Sequence, residues 1–335
     1  MISPNAIYVV RWLIRDTFRQ ARASGLFWVM LTVSGIGIAV CLSASVSSSR
    51  KLHHPGEPTE FLPRDYADPA RAAREKVDMV SGELTLAFGA VRAPLGRDGD
   101  DAIRFVELLL AGFVADTAGV LLTLTWTAGF MPAFLDPHSA VVVWAKPVHR
   151  WTLLTGKYLG VLLFVAFQSA IFVGGTWLAL GLRTGYWETG YLLTVPLLLV
   201  HFAVFFSFST LLAVYFRSTI TCVIGSLLFW LLCWGMNFGR HAVIALPTLS
   251  PKSPPMSPLV RHMTEVGYWL LPKPADLAML LSQLLDSGKY FSNLAVFEEV
   301  KRVGAFSPEM SLLSSAAFAV ALLAAAAWRL SRTDY

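Results

Sequence analysis

The sequence DPHSAVVVWAKPVHRWTLLTGKYLG, residues 136–160, lies between two long apolar runs and decides how the chain is arranged. Its one acid is Asp136, and its basic residues are Lys146, Arg150 and Lys157. Basic residues in a short loop between apolar segments mark the cytoplasmic side of a membrane. We therefore predict a cytoplasmic loop over residues 136–157 that faces soluble components of the cell.

The composition of the whole chain supports a membrane environment. Apolar residues make up 55% of the sequence and charged residues 15%, whereas soluble domains carry about 25% charged residues. The basic residues fall between apolar runs rather than on a soluble face with interleaved aromatics, which disfavours a nucleic-acid partner. All three cysteines lie inside apolar runs without a CxxC pair, so we interpret them as buried small hydrophobic residues.

Six apolar stretches are long enough to cross a bilayer. They are residues 26–42, 108–134, 158–180, 191–216, 219–238 and 310–330. The predicted fold is an all-α polytopic membrane protein with one transmembrane domain over residues 1–335. Small residues after the first stretch leave signal-peptide cleavage open, but the long helical region ahead of it and the many later spans favour a retained anchor.

An amphipathic helix is predicted ahead of the first span, over residues 5–23. Its arginines recur at spacings of four, four and three, which places them on one helical face. Beside a membrane span, this pattern favours a helix in the interface with its arginines anchored at lipid headgroups, although an ordinary surface helix has the same pattern. The predicted interfacial anchors are Arg11, Arg15, Arg19 and Arg22.

Two polar segments, residues 47–104 and 239–308, separate the spans. We predict that both are extracytoplasmic, with a strand or hairpin near residues 84–91 and a short helix over Ala275–Asp286. His53 and His54 are two adjacent histidines, too few for a typical metal site, and the acidic turn at residues 96–101 lacks the ligand spacing of a calcium loop. We predict no metal site.

The distribution of charged residues predicts how the six spans are oriented in the membrane. Both termini, the 136–157 loop and Arg217 together hold ten of the 27 basic residues and three of the 22 acidic residues. That leaves 17 basic and 19 acidic residues elsewhere, so the first set carries the excess positive charge expected inside the cell. The predicted location is the plasma (inner) membrane, with both termini cytoplasmic.

Three polar residues inside the apolar runs are candidate functional residues. Asp116 is either part of a translocation path or helix interface, or lies high in its span and reaches water. Gln168 and His201 are candidate interhelical hydrogen-bonding groups. Motifs of the common hydrolases and metalloproteases are absent, and we predict no catalytic residue.

The dipeptide Gly156-Lys157 has only a superficial likeness to a phosphate-binding loop. Trp151 stands where that motif needs glycine, and Tyr158 follows where it needs serine or threonine. The chain therefore does not bind a nucleotide in that way. If it moves a solute uphill, the energy comes from another subunit or from an ion gradient.

The run AKPVHRWTLLTGKYLG resembles the cytoplasmic loop of ABC-2-type transporter permeases, most closely the branch of nitrous-oxide-reductase maturation permeases. The matching residues are Lys146, Pro147, Val148, Arg150, Gly156, Lys157, Tyr158 and Gly160. The architecture extends the resemblance over most of the chain. Many members carry a Glu and a Gly-Thr-type pair ahead of the Lys-Pro run, whereas this chain has Asp136, Ser139 and Ala140, so the substrate stays open.

The resemblance implies a permease subunit, with export the expected direction, that dimerises with a second copy or a paralogue. It also implies an ABC ATP-binding subunit as partner, with ATP and magnesium held by that partner and no cofactor in this chain. In this interpretation the 136–157 loop, including Asp136, contacts the ATPase, and its prolines oppose helix formation. Alternatively, Lys146, Arg150 and Lys157 only anchor the loop to membrane lipid.

Two other functions remain open from the sequence. The chain is a candidate non-transporting scaffold that binds an extracytoplasmic partner through residues 47–104 and 239–308. It is also a candidate intramembrane enzyme, an interpretation that rests only on Asp116 and His201.

Overall fold

The structure is a computed structural model that describes residues 4–52, 78–95, 99–136, 149–250, 256–285 and 295–332. Helices dominate these ranges, as expected for a chain that must satisfy its backbone hydrogen bonds internally within lipid. The prediction of a mainly helical, multi-pass membrane protein is therefore confirmed.

The chain begins with two helices that meet at a sharp bend. Helix α1 covers Pro4–Ala23 and α2 covers Leu26–Leu42, close to the predicted bounds. The two axes differ by 74°. Gly25 lies in the left-handed region with φ of 75°, a conformation that glycine adopts without steric penalty, and it permits the bend.

A small antiparallel sheet follows α2. Strands β1 (Ser45–Leu52), β2 (Asp78–Leu86) and β3 (Val91–Leu95) pair in the order β1-β2-β3. Leu86 lies opposite Val91, and a short 3-10 turn at Ala87–Gly89 joins the two strands. The predicted strand or hairpin near residues 84–91 is therefore confirmed, and the sheet adds to the helical body.

The remaining elements are helical. A nearly continuous path consists of α3 (Gly99–Leu108), a π-helical segment (Leu109–Gly119), α4 (Val120–Thr127) and α5 (Phe130–Phe134). It is followed by α6 (Arg150–Thr184), a 3-10 turn (Thr189–Leu193), α7 (Thr194–Phe216), α8 (Thr219–Leu249), α9 (Pro258–Leu270), α10 (Pro274–Leu284), α11 (Ala295–Arg302) and α12 (Pro308–Ser331).

Within the described ranges, five helical stretches are long and apolar enough to cross a membrane. They are Ile103–Phe134, Arg150–Thr184, Thr189–Phe216, Thr219–Leu249 and Pro308–Ser331. The bent pair of α1 and α2 makes a sixth if the two helices count as one span. Five predicted spans are thus confirmed as span-capable helices, and the first, with only 17 residues in α2, qualifies only together with α1.

Two helix bounds differ from the predictions. Helix α6 begins at Arg150, so the predicted loop boundary at residue 157 is wrong. The helix can begin at Arg150 because no proline lies between Pro147 and the apolar part of the span. The one glycine near the start of α6, Gly156, is tolerated because glycine is common where membrane helices pack closely. Helix α8 continues to Leu249 rather than ending near residue 238, and no proline precedes Pro247 within it.

Helix α6 lies at the centre of the bundle. It packs against α1, α2, α7 and α12, and the core between them is rich in aromatic side chains. Phe164 of α6 and Phe202, Phe205 and Phe206 of α7 are fully buried there. The first turns of α6 are therefore held by several elements at once.

Candidate functional site

Lys157 is buried in the junction between α1 and α6. Its side chain is only 1% exposed, and its Nζ donates hydrogen bonds to Asp16 Oδ2 at 3.0 Å and to Gln20 Oε1 at 2.8 Å. The same ammonium lies 5.8 Å from the centre of the Phe134 ring. Lys157 is thus engaged inside the chain, and it lies in the first turns of α6 rather than in the predicted 136–157 loop.

Gly156 and Gly160 allow α1 to approach α6 closely. A Cβ atom at Gly156 would lie 2.6 Å from Leu13 Cδ1, and one at Gly160 would lie 2.6 Å from Thr17 Oγ1. Cβ atoms do not approach other heavy atoms that closely, so an added side chain requires Leu13, Thr17 or the helices themselves to shift. Glycines four residues apart on one helix face are typical of tightly packed membrane helices.

Two further motif residues connect α6 to other helices. The Arg150 guanidinium donates to the carbonyl of Leu330, where the last carbonyls of α12 lack partners within their own helix. The Tyr158 hydroxyl donates to the carbonyl of Ala203 in α7 at 2.7 Å, and its ring stacks on Phe206. Cations are stabilising at helix C-termini, so Arg150 suits its position.

The motif residues described by the structure therefore form one junction, which we call the α6 junction. It consists of Arg150, Gly156, Lys157, Tyr158 and Gly160 with their contacts in α1, α7 and α12. Asp136 lies exposed after α5. Lys146, Pro147 and Val148 lie outside the described residues.

The arginines of α1 lie on the face opposite the junction. Arg11, Arg15, Arg19 and Arg22 are all exposed, whereas the buried stripe of α1 consists of Val9, Leu13, Thr17 and Ala21. The predicted division of α1 into a basic face and a packed face is therefore confirmed, and the headgroup contact stays a prediction. Asp16, the one acid of this helix, is the partner of Lys157 and was missed from the sequence.

Asp116 and His201 meet inside the spans. Asp116 is 2% exposed, and its Oδ1 lies 2.8 Å from Nδ1 of His201 in α7. His201 Nε2 accepts a hydrogen bond from Trp230 Nε1 of α8 at 3.1 Å. The alternative in which Asp116 sits at the span boundary and reaches water is wrong, because this carboxylate is buried in a chain of hydrogen bonds across three helical segments.

The direction of these bonds assigns the histidine tautomer. An indole N–H only donates, so Nε2 of His201 carries no proton and Nδ1–H donates to Asp116. A histidine acting as a general base needs a free lone pair toward its substrate, and the Nε2 lone pair is taken by Trp230. The geometry therefore favours a structural interhelical role over the enzyme interpretation.

Asp116 is presented by an unusual stretch of backbone. It lies in the π-helical segment Leu109–Gly119, where the Thr117 hydroxyl donates to the carbonyl of Gly112, five residues earlier. π-Helical turns are rare and often occur at functional positions. The wider turn changes which face of the span each residue occupies, and it aims Asp116 at α7.

Gln168 does not join the Asp116 pair. Its Nε2 donates to the carbonyl of Phe27 in α2 at 3.3 Å, while its Oε1 is buried without a partner. It lines a cavity of about 130 Å³ between α2, the π-helical segment and α6. The prediction of an interhelical hydrogen bond is confirmed for the amide nitrogen.

Trp230 provides a direct test of the intramembrane chain. We expect Trp230→Phe to destabilise the chain by about 1–3 kcal/mol, because it leaves the buried His201 Nε2 without a donor. Thermal unfolding of the purified protein measures this effect. Trp234→Phe is the matched control, since Trp234 lies one turn further along α8 and is partly exposed. Equal melting temperatures for the two variants would contradict the proposed tautomer.

A second polar network, missed in the sequence, lies beyond the predicted end of the α8 span. Asp276, at the start of α10, is almost fully buried. Its Oδ1 accepts from His241 Nε2 and Asn237 Nδ2, each at 2.8 Å, and its Oδ2 accepts from the hydroxyls of Tyr268, at 2.8 Å, and Ser311. The one signal for this network in the sequence is the i, i+4 spacing of Asn237 and His241, which places both on one face of a helix. The predicted end of the span at residue 238 separates these two residues, so the sequence analysis did not use the spacing.

The electrostatics of this network follow from its geometry. Burial alone would raise the pKa of Asp276, but hydrogen bonds from His241, Ser311 and Asn237 and the attraction of His241 hold the pKa below its ordinary value. Burial lowers the pKa of Lys273, one turn earlier, against the opposing attraction of Asp276. The carboxylate thus stays ionised and ties α8, α9, α10 and α12 together.

Comparison with known protein families found no match. Comparison with curated proteins found none either. Across the described ranges, no group of three or more His, Cys, Asp or Glu side chains is placed to hold a metal ion.

Proposed function

We propose that the chain is the membrane-spanning permease subunit of an ATP-driven transporter of the ABC-2 type, with export as its direction. Its 137–149 connection engages a separate ATP-hydrolysing subunit, and a second copy or a paralogue completes the permease. The observation that carries the proposal is the α6 junction, in which the motif residues hold the start of a span against three other helices.

The junction provides a mechanical path for such coupling. Helix α6 has 35 residues and so is about 52 Å long, and it starts directly after the 137–149 connection. A force on that connection acts on the end of one rigid helix. Because α1, α7 and α12 are bound to the same first turns, they move with α6 as a body, the usual form of a switching motion in packed helices.

The charge pattern of the junction suits a site of force transfer better than a site of lipid anchoring. Lys157 is neutralised by Asp16 and is buried, and Arg150 is bound to the end of α12. Of the three basic residues in the motif, Lys146 is then the one proposed to reach the ATPase. The exposed arginines of α1 supply the contact with lipid headgroups.

Copurification and transport assays test the proposal. We expect an ATP-hydrolysing subunit encoded beside this chain to copurify with it, and Lys146→Glu to abolish that association. Lys301→Glu is the matched control, because Lys301 lies in α11, on the predicted opposite side of the membrane. If no ATPase copurifies, and Lys146→Glu with Arg150→Ala leaves transport unchanged, the proposal is wrong.

The scaffold function is the second candidate. It is favoured by the amount of folded structure outside the spans, namely the β1–β3 sheet and helices α9 to α11. The Asp276 network fixes α9 and α10 to the bundle. Crosslinking from these segments to an extracytoplasmic protein, with normal function after deletion of the ATPase, would support the scaffold and contradict the permease.

A further inference from the structure

A mainly apolar cavity lies among the spans, between α2, the π-helical segment with α4, and α6. Its volume is about 130 Å³. Most of its walls are apolar side chains, among them Met30 of α2, Trp126 of α4 and Phe172 of α6. None of its described lining residues belongs to the α6 junction. The cavity is therefore a separate feature of the bundle.

The cavity opens sideways, between α2 and α4. Val33 of α2 and Leu122 of α4 both line it, and they are 44% and 45% exposed. Each lies near the middle of its apolar stretch, Leu26–Leu42 for Val33 and Ile103–Phe134 for Leu122. Apolar side chains exposed at the middle of a span face the hydrocarbon of the bilayer. A molecule dissolved in the lipid thus has access to the cavity.

Gln168 places one polar atom in this apolar wall. Its side chain is 2% exposed, and its Nε2 donates to the Phe27 carbonyl at 3.3 Å, which assigns the amide nitrogen and the amide oxygen. Within the described part of the chain, the buried Oε1 has no hydrogen-bond partner. A buried acceptor without a donor is unfavourable, so an occupant of the cavity that supplies a donor is stabilised there.

The depth of Gln168 restricts the kind of donor. Helix α6 covers Arg150–Thr184, so its midpoint is residue 167, next to Gln168. The hydrocarbon core is about 30 Å thick, which places phospholipid headgroups about 15 Å from its centre. A headgroup therefore does not reach this oxygen, and a charged donor is disfavoured because ions are costly at mid-membrane. The donor that fits is neutral.

Water fits the cavity poorly. A volume of about 130 Å³ corresponds to about four water molecules, each of which needs two to four polar partners. The polar side chains of the described lining are Gln168, Ser34, Thr123 and Ser169, and the Ser169 hydroxyl already donates to the Ala166 carbonyl. A dry apolar cavity of similar size, about 150 Å³, takes one benzene ring. A single ring that carries one hydroxyl uses both the apolar walls and the acceptor.

We propose that this cavity binds one small, neutral, lipid-soluble hydroxyl compound, a phenol or alcohol about the size of a single ring, whose hydroxyl donates to Gln168 Oε1. Ser34 and Thr123 line the same cavity, and a side-chain hydroxyl can donate to the ligand oxygen in return. The site does not rest on the proposed transport function, because it involves neither the α6 junction nor an ATPase.

Fluorine NMR of small probes tests the site, with the full-length chain in phosphatidylcholine nanodiscs at pH 7, where a phenol keeps its proton. The probes are 4-fluorophenol and 4-fluorotoluene, which differ only by the replacement of the hydroxyl with a methyl group. Empty nanodiscs correct for partition into the lipid. We expect saturable binding of 4-fluorophenol, about tenfold tighter than that of 4-fluorotoluene, the ratio that one added hydrogen bond supplies.

Two variants and a control assign the preference to the cavity. Gln168→Met removes the acceptor but keeps a side chain of similar length, and it is expected to equalise the two affinities. Ala118→Leu fills the cavity from the π-helical segment and is expected to abolish saturable binding of both probes. Ala317→Leu adds the same volume at an exposed position of α12 and is expected to change neither affinity.

The comparison of the two probes on the wild-type chain decides the proposal even if a variant fails to fold. Equal affinities for 4-fluorophenol and 4-fluorotoluene would overturn it. So would the lack of saturable binding, which is the result expected of a water-filled cavity, or an unchanged preference in folded Gln168→Met.

Discussion

Replacing Asp276 with leucine is expected to destabilise the chain by about 3–5 kcal/mol, the range measured when one member of a buried charged network is removed. Leucine has the same branching at Cγ but accepts no hydrogen bond. The four donors that now converge on the carboxylate are then left in a buried site without an acceptor. Thermal unfolding of the purified protein, monitored by tryptophan fluorescence, measures the loss.

A graded series separates the carboxylate from its individual donors. Tyr268→Phe and Ser311→Ala each remove one hydroxyl and are expected to cost about 1 kcal/mol. Glu309→Leu, two residues before Ser311, removes an exposed carboxylate and is the control for the loss of charge. A loss for Asp276→Leu no larger than that of Glu309→Leu would show that the network does not hold α8 to α12.

The same network makes a prediction for pH. The pKa of folded Asp276 lies below its ordinary value of 3.8 because His241, Ser311 and Asn237 donate to the carboxylate and outweigh the effect of burial. The stabilisation from ionised Asp276 is therefore complete above pH 3.8 and is lost as the pH falls through the lower folded pKa. The gap in stability between the wild type and Asp276→Leu is expected to shrink only in that acidic range.

The spans were predictable from the sequence because hydrophobic length is a local property. The stretches at residues 108–134, 191–216 and 310–330 match span-capable helices. The bend between α1 and α2 was predictable for a similar reason, since the basic amphipathic pattern stops just before Gly25. The start of α6 was misplaced, because hydropathy shows where a span becomes apolar and not where the helix begins.

The partners inside the sites were not predictable, because they join residues far apart in the chain. Asp16 and Lys157 are 141 residues apart, and the periodicity of either segment carries no information about the other. The role of Trp230 was not predictable for the same reason. In the sequence it is an ordinary apolar residue, and its hydrogen bond to His201 exists only because α8 packs beside α7. The π-helical turn that aims Asp116 has no signature in the residue types.

Gly160 is the position where the α6 junction is most sensitive to added volume. We expect Gly160→Ala to destabilise the chain by about 1–3 kcal/mol, because its Cβ would meet Thr17 Oγ1 at 2.6 Å and backbone atoms of α1 at 3.3 Å. Gly174→Ala on the same helix is the matched control. No atom lies within 4 Å of a Cβ there, so the helix propensity of alanine is expected to keep or raise the stability.

Reactivity of Lys157 shows whether the loss comes from release of α1. In the wild-type chain this amine is buried against Asp16 and Gln20, so acetylation with an amine reagent is expected to spare it. Gly160→Leu pushes α1 away and is expected to expose Lys157 to acetylation, as measured by mass spectrometry of the digested protein. In Gly174→Leu the amine stays protected. Protection of Lys157 in Gly160→Leu as well would mean that α1 and α6 separate at Gly160 while the contacts of Lys157 stay intact. The two helices would then not move as one body.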